Sequence, residues 1–209
     1  MSNSAHLEIA HKTLLTPSEI DQSKIEKILG KMLVPSLDYA DLYFQSTHFE
    51  SWFLEEGMIK NGHFSIDKGV GIRAVSGEKT GFAYADEIYL KAIEQAATAA
   101  KTIAHHGGSK QKITFAAKNQ PIIPQYTADN PLMGLNEAEK IDLLKKMDLA
   151  ARKIDPRIIQ VMVSLAGVYE VILIAASDGT FATDVRPLVR LNVEVIAEQK
   201  GRRERGSMG

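Results

Sequence analysis

The sequence predicts an α+β fold: a largely antiparallel sheet with helices on one face, arranged as two similar halves of a helix plus four strands. Three observations carry this. Apolar residues recur at helical spacing in three stretches, and in the blocks that follow they alternate with polar ones at a period of two. Asn61-Gly62 and Asp178-Gly179 stand inside those two-period blocks, where short turns join antiparallel strands. The order helix, strand, strand, turn, strand, strand occurs twice, without the strict alternation that builds a parallel sheet. The repeat is one of pattern, not of sequence.

The first helix is expected at Thr16-Pro17-Ser18-Glu19, with Thr16 as cap, Pro17 in the first helical position and Glu19 closing a capping box. Ile20, Ile25, Ile28, Leu29 and Met32 form its apolar stripe, and Val34-Pro35 stops it. From Tyr39 the period is two: Leu42 and Phe44 alternate with Tyr43 and Gln45, and Trp52 and Leu54 with Phe53 and Glu55. Asn61-Gly62, Gly69, Gly71 and Ser76-Gly77-Glu78-Lys79 read as turns or bulges dividing about four strands between Tyr39 and Ala85.

Asp86 is expected to cap a helix through His106, with Ile88, Ala92, Gln95, Ala96, Ala99 and Ile103 inward and Gly107-Gly108 as the stop. Ser109 to Leu135, carrying Pro121, Pro124 and Pro131, reads as an irregular crossing segment. Asn136 and Glu139 spell a second capping box, opening a helix through Ile154 with Ile141, Leu144, Met147 or Asp148, and Ala151 inward, before Asp155-Pro156. Strands return over Ile158–Leu165, Tyr169–Ala175, Thr180–Asp184 and Leu188–Ala197.

The 209 residues are 44% hydrophobic, with 25 basic against 26 acidic side chains and a formal net charge of -1. A chain of this length buries roughly 70% of its unfolded surface, enough for one or two cores. Balanced charge removes any broad attraction to nucleic acid or anionic lipid. The absence of cysteine rules out a disulfide framework, a thiol nucleophile and cysteine-ligated metal, and suits a reducing compartment, so the cytoplasm is expected. Ser2, Asn3, His6, Glu8 and Lys12 leave the N-terminus without a signal-peptide core. The longest apolar stretch, Val171 to Ala176, is far short of the roughly 20 residues of a membrane helix, so a soluble protein is expected.

Chemistry-bearing residues are scattered. His6 and His11 flank Glu8, but positions five apart on a helix point roughly 140° away from each other, whereas zinc-binding pairs sit four apart. His105-His106 suit a helix C-terminus, where imidazole meets exposed carbonyls, and His48 and His63 read as sheet-surface residues. Gly69-Val70-Gly71-Ile72-Arg73-Ala74 has the letters of a dinucleotide-binding turn, yet the strand pattern runs on through Val75 where a helix would be needed. Ser76-Gly77-Glu78-Lys79 matches a Ser-x-x-Lys nucleophile motif but sits on a turn. Glu50, Glu55, Glu56 and Asp67 read as solvated sheet carboxylates. Arg202-Arg203-Glu204-Arg205, the densest charge cluster, reads as a solvated tail, with peptide or partner contact through Arg202, Arg203 and Arg205 as the alternative. No set of residues completes an active site.

Several segments together resemble the N-terminal part of the TldD/PmbA family, its TldD branch in particular. They are Leu37-Asp38-Tyr39-Ala40-Asp41-Leu42-Tyr43-Phe44-Gln45-Ser46, Glu50-Ser51-Trp52, and the run from Asp67-Lys68-Gly69-Val70-Gly71-Ile72-Arg73 to Gly81-Phe82-Ala83-Tyr84-Ala85-Asp86. Gly167-Val168-Tyr169-Glu170, Ser177-Asp178-Gly179-Thr180, Asp184 to Val193, and Gly201-Arg202-Arg203-Glu204-Arg205-Gly206 follow in the family's order. The resemblance implies a cytoplasmic zinc metallopeptidase, once described as a modulator of DNA gyrase. It implies cleavage of unfolded peptides, maturation of microcin-type precursors and degradation of an antitoxin by a heterodimer with a PmbA-like subunit. The family's zinc motif, His-Glu-x-x-x-His with a cysteine, lies in its C-terminal half, and this sequence has no His followed by Glu and no Cys. The His6 to His11 spacing equals that of the motif, but the glutamate is one position late and the chain end is the wrong one. Residues 1–209 are therefore expected to be the N-terminal domain of a longer protein, holding no catalytic or metal residue. It would shape the substrate passage and pair with a PmbA-like subunit or with itself, the alternative being a free-standing interaction module.

Overall fold

The structure, a computed structural model, describes residues 3–33, 37–104 and 125–209. Helix α1 (Asn3–Ala10) continues as a π turn (His11–Leu15) and a 3-10 turn (Thr16–Ser18). The Thr16 hydroxyl donates to the His11 carbonyl at 3.0 Å, so Thr16 closes this first helix and does not open the next. Glu19 has φ 53°, a left-handed conformation that cannot occupy the third position of a helix. Helix α2 (Gln22–Met32) starts instead at Asp21, whose carboxylate accepts from the Lys24 amide at 2.8 Å. Its stripe of Ile25, Ile28, Leu29 and Met32 is buried as the spacing predicts, and the Val34-Pro35 stop lies outside the described residues.

Six strands form one sheet: β1 (Tyr39–Glu55), β2 (Met58–Ser76), β3 (Lys79–Ala85), β4 (Ile158–Ala176), β5 (Phe181–Gln199) and β6 (Arg202–Met208). Their order is β3-β2-β1-β4-β5-β6, and the fold is α+β as predicted. Glu56-Gly57 and Lys200-Gly201 turn with both residues at positive φ, the twist that two-residue antiparallel hairpins favour. Gly77 and Gly179, at φ 56° and 91°, serve the β2/β3 and β4/β5 turns, the second within the expected Asp178-Gly179 pair.

Asn61-Gly62, Gly69 and Gly71 are not turns; all lie inside β2. Their role is clearance. A Cβ on Gly62 would stand 3.0 Å from the Trp52 ring, and one on Gly71 would stand 3.2 Å from the Phe82 ring. Gly62 and Gly71 each let an aromatic ring rest on backbone, and a Cβ on Gly69 would stand 2.9 Å from the Ala85 carbonyl oxygen. Between Tyr39 and Ala85 there are accordingly three strands. Gly167-Val168 and Pro187 likewise leave β4 and β5 as single strands of 19 residues each, and the expected C-terminal tail is strand β6.

The chain divides into two compact units, the first comprising residues 1–47, 67–128 and 170–186, the second 48–66, 129–169 and 187–209. In the first, Leu42, Phe44, Ile72, Leu173 and Val185 are almost wholly buried, and helix α3 (Leu90–Ala104) turns Ala92, Ile93, Ala96, Ala97, Ala100 and Ala104 inward. The helix starts at Leu90 rather than at Asp86, and its buried face is rotated from the expected one: Gln95 and Ala99 are exposed, and Ile103 is 57% exposed. The cause is Gly81, whose Cβ would fall 2.0 Å from the Ala100 carbonyl oxygen. Backbone meets backbone there, and only a stripe of small residues permits it. His105, His106, Gly107-Gly108, Pro121 and Pro124 lie outside the described residues.

In the second unit the core gathers Leu54, Leu144, Ala151, Val161, Val163 and Leu165. Helix α4 (Glu137–Ile154) opens with the predicted capping box: Asn136 Oδ1 accepts from the Glu139 amide at 3.0 Å, and Glu139 Oε2 accepts from the Asn136 amide at 2.8 Å. Leu144, Asp148 and Ala151 face inward as expected, with Lys140 buried in place of Ile141. Among the described residues no helix is long and apolar enough to cross a membrane.

Candidate functional site

Strand alternation in the first unit buries Leu42, Phe44 and Ser46 and sends Tyr39, Tyr43 and Gln45 to the opposite face. Arg73 shares that face, donating to Asp41 Oδ2 from Nε at 2.8 Å and from Nη2 at 2.5 Å, with its guanidinium 5.5 Å from the centre of the Tyr39 ring. Asp41 raises the Arg73 pKa, and burial, reinforced by Asp41, raises that of the Tyr39 hydroxyl. Further along, Arg186 Nε donates to Asp184 at 2.7 Å and its Nη1 lies 3.5 Å from Glu170, which accepts from Gln45 Nε2 at 2.5 Å. Burial first, then the Glu170 charge, pushes the Tyr43 hydroxyl up, so it stays a neutral hydrogen-bonding group.

On β3, Phe82 pairs with Arg73 and Tyr84 with Gly71, and the two rings are 59% and 70% exposed. Because Gly69 and Gly71 carry no side chains, a trough of about 340 Å³ opens between the two flanking strands. Tyr43, Gln45 and Thr47 wall it on one side, Phe82 and Tyr84 on the other, with Asp67 and Asp86 also in its lining.

The arginines singled out by sequence lie on β6, a sheet edge exposed along its whole length. Each has a carboxylate: Arg202 Nε donates to Glu204 at 2.6 Å, Arg203 Nε to Glu198 at 2.7 Å, and Arg205 pairs with Glu194. One pair lies along β6 and two cross to β5, so the edge they decorate is close to neutral.

The second unit contains a site that sequence reasoning missed. Lys140 Nζ donates to both Glu50 carboxylate oxygens at 2.8 Å and to the Leu132 carbonyl at 2.8 Å, and Trp52 Nε1 donates to Glu50 Oε1 at 2.5 Å. Glu50 is therefore not a solvated sheet carboxylate. The pair borders an apolar cavity of about 270 Å³ walled by Trp52, Leu132, Leu165 and Leu191. The available signal was Lys140 standing four residues before Leu144 and eight before Asp148, on the inward stripe of α4.

His6 is 1% exposed and its Nε2 has no hydrogen-bond partner among the described residues, while the His11 ring lies 6.0 Å from that of Phe181. Among the described residues no three His, Cys, Asp or Glu side chains gather as a metal site would require. His48 packs edge-on to Tyr169 at 6.4 Å and His63 lies 5.7 Å from Phe49. Gly69-Val70-Gly71 runs through mid-strand, and Gly77-Glu78 is the hairpin turn.

The model of the PmbA/TldA metallopeptidase domain 1 matches residues 40–104, and that of the central domain matches residues 130–209. The chain belongs to the TldD/PmbA family. A metalloprotease TldD homolog of Haemophilus influenzae is 51% identical over 199 residues, covering 94% of this chain and 41% of its own length. A TldD homolog of Buchnera aphidicola (subsp. Schizaphis graminum) is 44% identical over 97% of this chain and 42% of its own length. The chain thus spans about two fifths of the length of these curated TldD relatives. Among solved structures, a protein described as a DNA gyrase modulator from Thermotoga maritima matches with TM-score 0.72 at 19% identity, over 89% of this chain and 42% of its own. TldE from Thermococcus kodakarensis matches with TM-score 0.67 at 12% identity, over 88% of this chain and 42% of its own. At these identities the two structures share the fold of this TldD/PmbA-family chain.

Proposed function

We propose that this chain is the N-terminal part of a TldD-type zinc metallopeptidase of the cytoplasm, where it shapes the passage for unfolded peptides and pairs with a PmbA-like subunit. The observation that carries the proposal is β6, an edge strand exposed along its length whose outer row of amide and carbonyl groups is available to an added extended chain. Relatives named as metalloproteases support the peptidase assignment, and the TldE fold match is consistent with like domains facing each other in a two-subunit enzyme. In this reading the zinc is held by residues outside this chain, as the family resemblance implies, and no catalytic step is assigned to these residues. Microcin-type precursors and an antitoxin are the substrates the family resemblance implies.

Proline cannot donate to a strand ladder, so Arg203→Pro tests the edge. The variant is expected to keep its circular dichroism while losing binding to a full-length PmbA-like subunit or to an unfolded peptide. Removing the equivalent region from a full-length relative, with cleavage rate, peptide-length preference and partner binding all unchanged, would sink the proposal.

A further inference from the structure

We infer that the trough over Gly69 and Gly71 is a recognition site for a cationic side chain, lysine or arginine, of an extended peptide. The inference rests on the peptide-passage reading above and deepens it by naming what the passage selects. A sheet face normally fills with side chains, and here the middle strand supplies none at two successive positions of one face. What remains is a slot about two strand spacings wide, roughly 10 Å, floored by backbone and by the Phe82 ring that rests on Gly71.

The walls specify the occupant. Tyr43 and Tyr84 offer ring faces, the second 70% exposed, on which an aliphatic stem and a cationic head both rest well. Asp67 and Asp86 are exposed, and neither has an ion-pair or hydrogen-bond partner among the described residues. Arg73 and Arg186, by contrast, are each engaged by a carboxylate on this face, Asp41 and Asp184. Lys68 also borders the trough, on the alternate side of β2 with Val70 and Ile72, and both it and Asp86 extend to a second hollow beside Thr13, Leu14 and Pro17. With Asp67 and Asp86 against Lys68 the lining carries a net negative charge, and its complement is a positive group long enough to cross an aromatic wall. An acidic or a purely apolar side chain satisfies only part of this lining.

The test uses the 209-residue chain and two blocked, uncharged-backbone decapeptides that differ at one central position, lysine in one and norleucine in the other. Norleucine keeps the stem and removes the charge. Calorimetry at low and physiological salt is expected to show the lysine peptide binding roughly tenfold more tightly at low salt, the preference shrinking as salt screens it. The Asp67→Asn/Asp86→Asn double variant should erase the preference, and Tyr84→Ala should weaken lysine binding about fivefold. Asp142→Asn, on α4, should change nothing. Equal affinity for the two peptides, or a preference that survives the double variant, overturns the inference while leaving peptide passage standing. No lysine-peptide binding at millimolar concentration also overturns it, and the passage reading is then judged on the Arg203→Pro variant and the partner subunit.

Discussion

Glu50 and Lys140 illustrate how one residue's environment decides its energetic sign. Each carries a charge that would be costly to bury alone, and each is satisfied by the other, by Trp52 and by the Leu132 carbonyl. Lys140→Met should therefore destabilise the chain by roughly 3–5 kcal/mol, because Glu50 is left charged and unpaired, while Glu50→Gln with Lys140→Met should recover most of the loss. Urea denaturation of the two variants beside the parent chain decides the matter. Glycine positions split just as sharply. Gly81→Ala places a Cβ against the Ala100 carbonyl and should cost ~3 kcal/mol or more. Gly30→Ala, inside α2 with nothing within 4 Å, should gain ~0.5–1 kcal/mol by the same measurement.

At the scale of elements, helix ends are where electrostatics and backbone demands coincide. Asn136→Ala removes the acceptor for the Glu139 amide and should cost ~1 kcal/mol, a loss checked by thermal melting. At the other end of α4, Asp155 is clasped by Arg157 through side-chain and then backbone hydrogen bonds, which lower its pKa from 3.8 to about 2. A depressed carboxylate stabilises the fold fully above its ordinary value, and that contribution fades as pH falls from 3.8 toward 2. Asp155→Asn should accordingly flatten the acid limb of a stability-against-pH curve within that window and leave its neutral region parallel. An unchanged acid limb would show that the Arg157 clasp does not persist in solution.

How much of this was legible in the sequence varies with how local the cause is. The Asn136/Glu139 box was readable because both partners sit within one turn, and the Ile25 to Met32 stripe because burial follows a single period. Asn61-Gly62 misled because a turn pair and a clearance pair use the same letters; only the distant Trp52 ring distinguishes them. The rotated face of α3 depends on Gly81, reached through the fold, and the pairing of Lys140 with Glu50 spans ninety positions of chain. The trough was invisible for the same reason: its glycines read as punctuation until β1 and β3 flank them.

At the scale of the whole molecule, the compact units do not coincide with the family's two matched segments. The first unit takes in residues 170–186, well inside the matched central domain, and draws from them Val171, Ile172, Leu173, Ala175 and Val185, all buried. A fragment ending at residue 128 lacks these side chains and should show no cooperative thermal transition, in contrast to the 209-residue chain. A sharp melt for the fragment would mean that the remaining helices and strands suffice.

Lys140 has one further use, as a reporter. Its ammonium has all three protons donated and its side chain is 10% exposed, whereas those of Lys31 and Lys146 are 72% and 68% exposed. An amine-reactive acetylating reagent should modify the two exposed lysines within seconds and reach Lys140 only when the second unit opens. The lag read by peptide mass spectrometry would then time that opening in the native protein, without denaturant or dye.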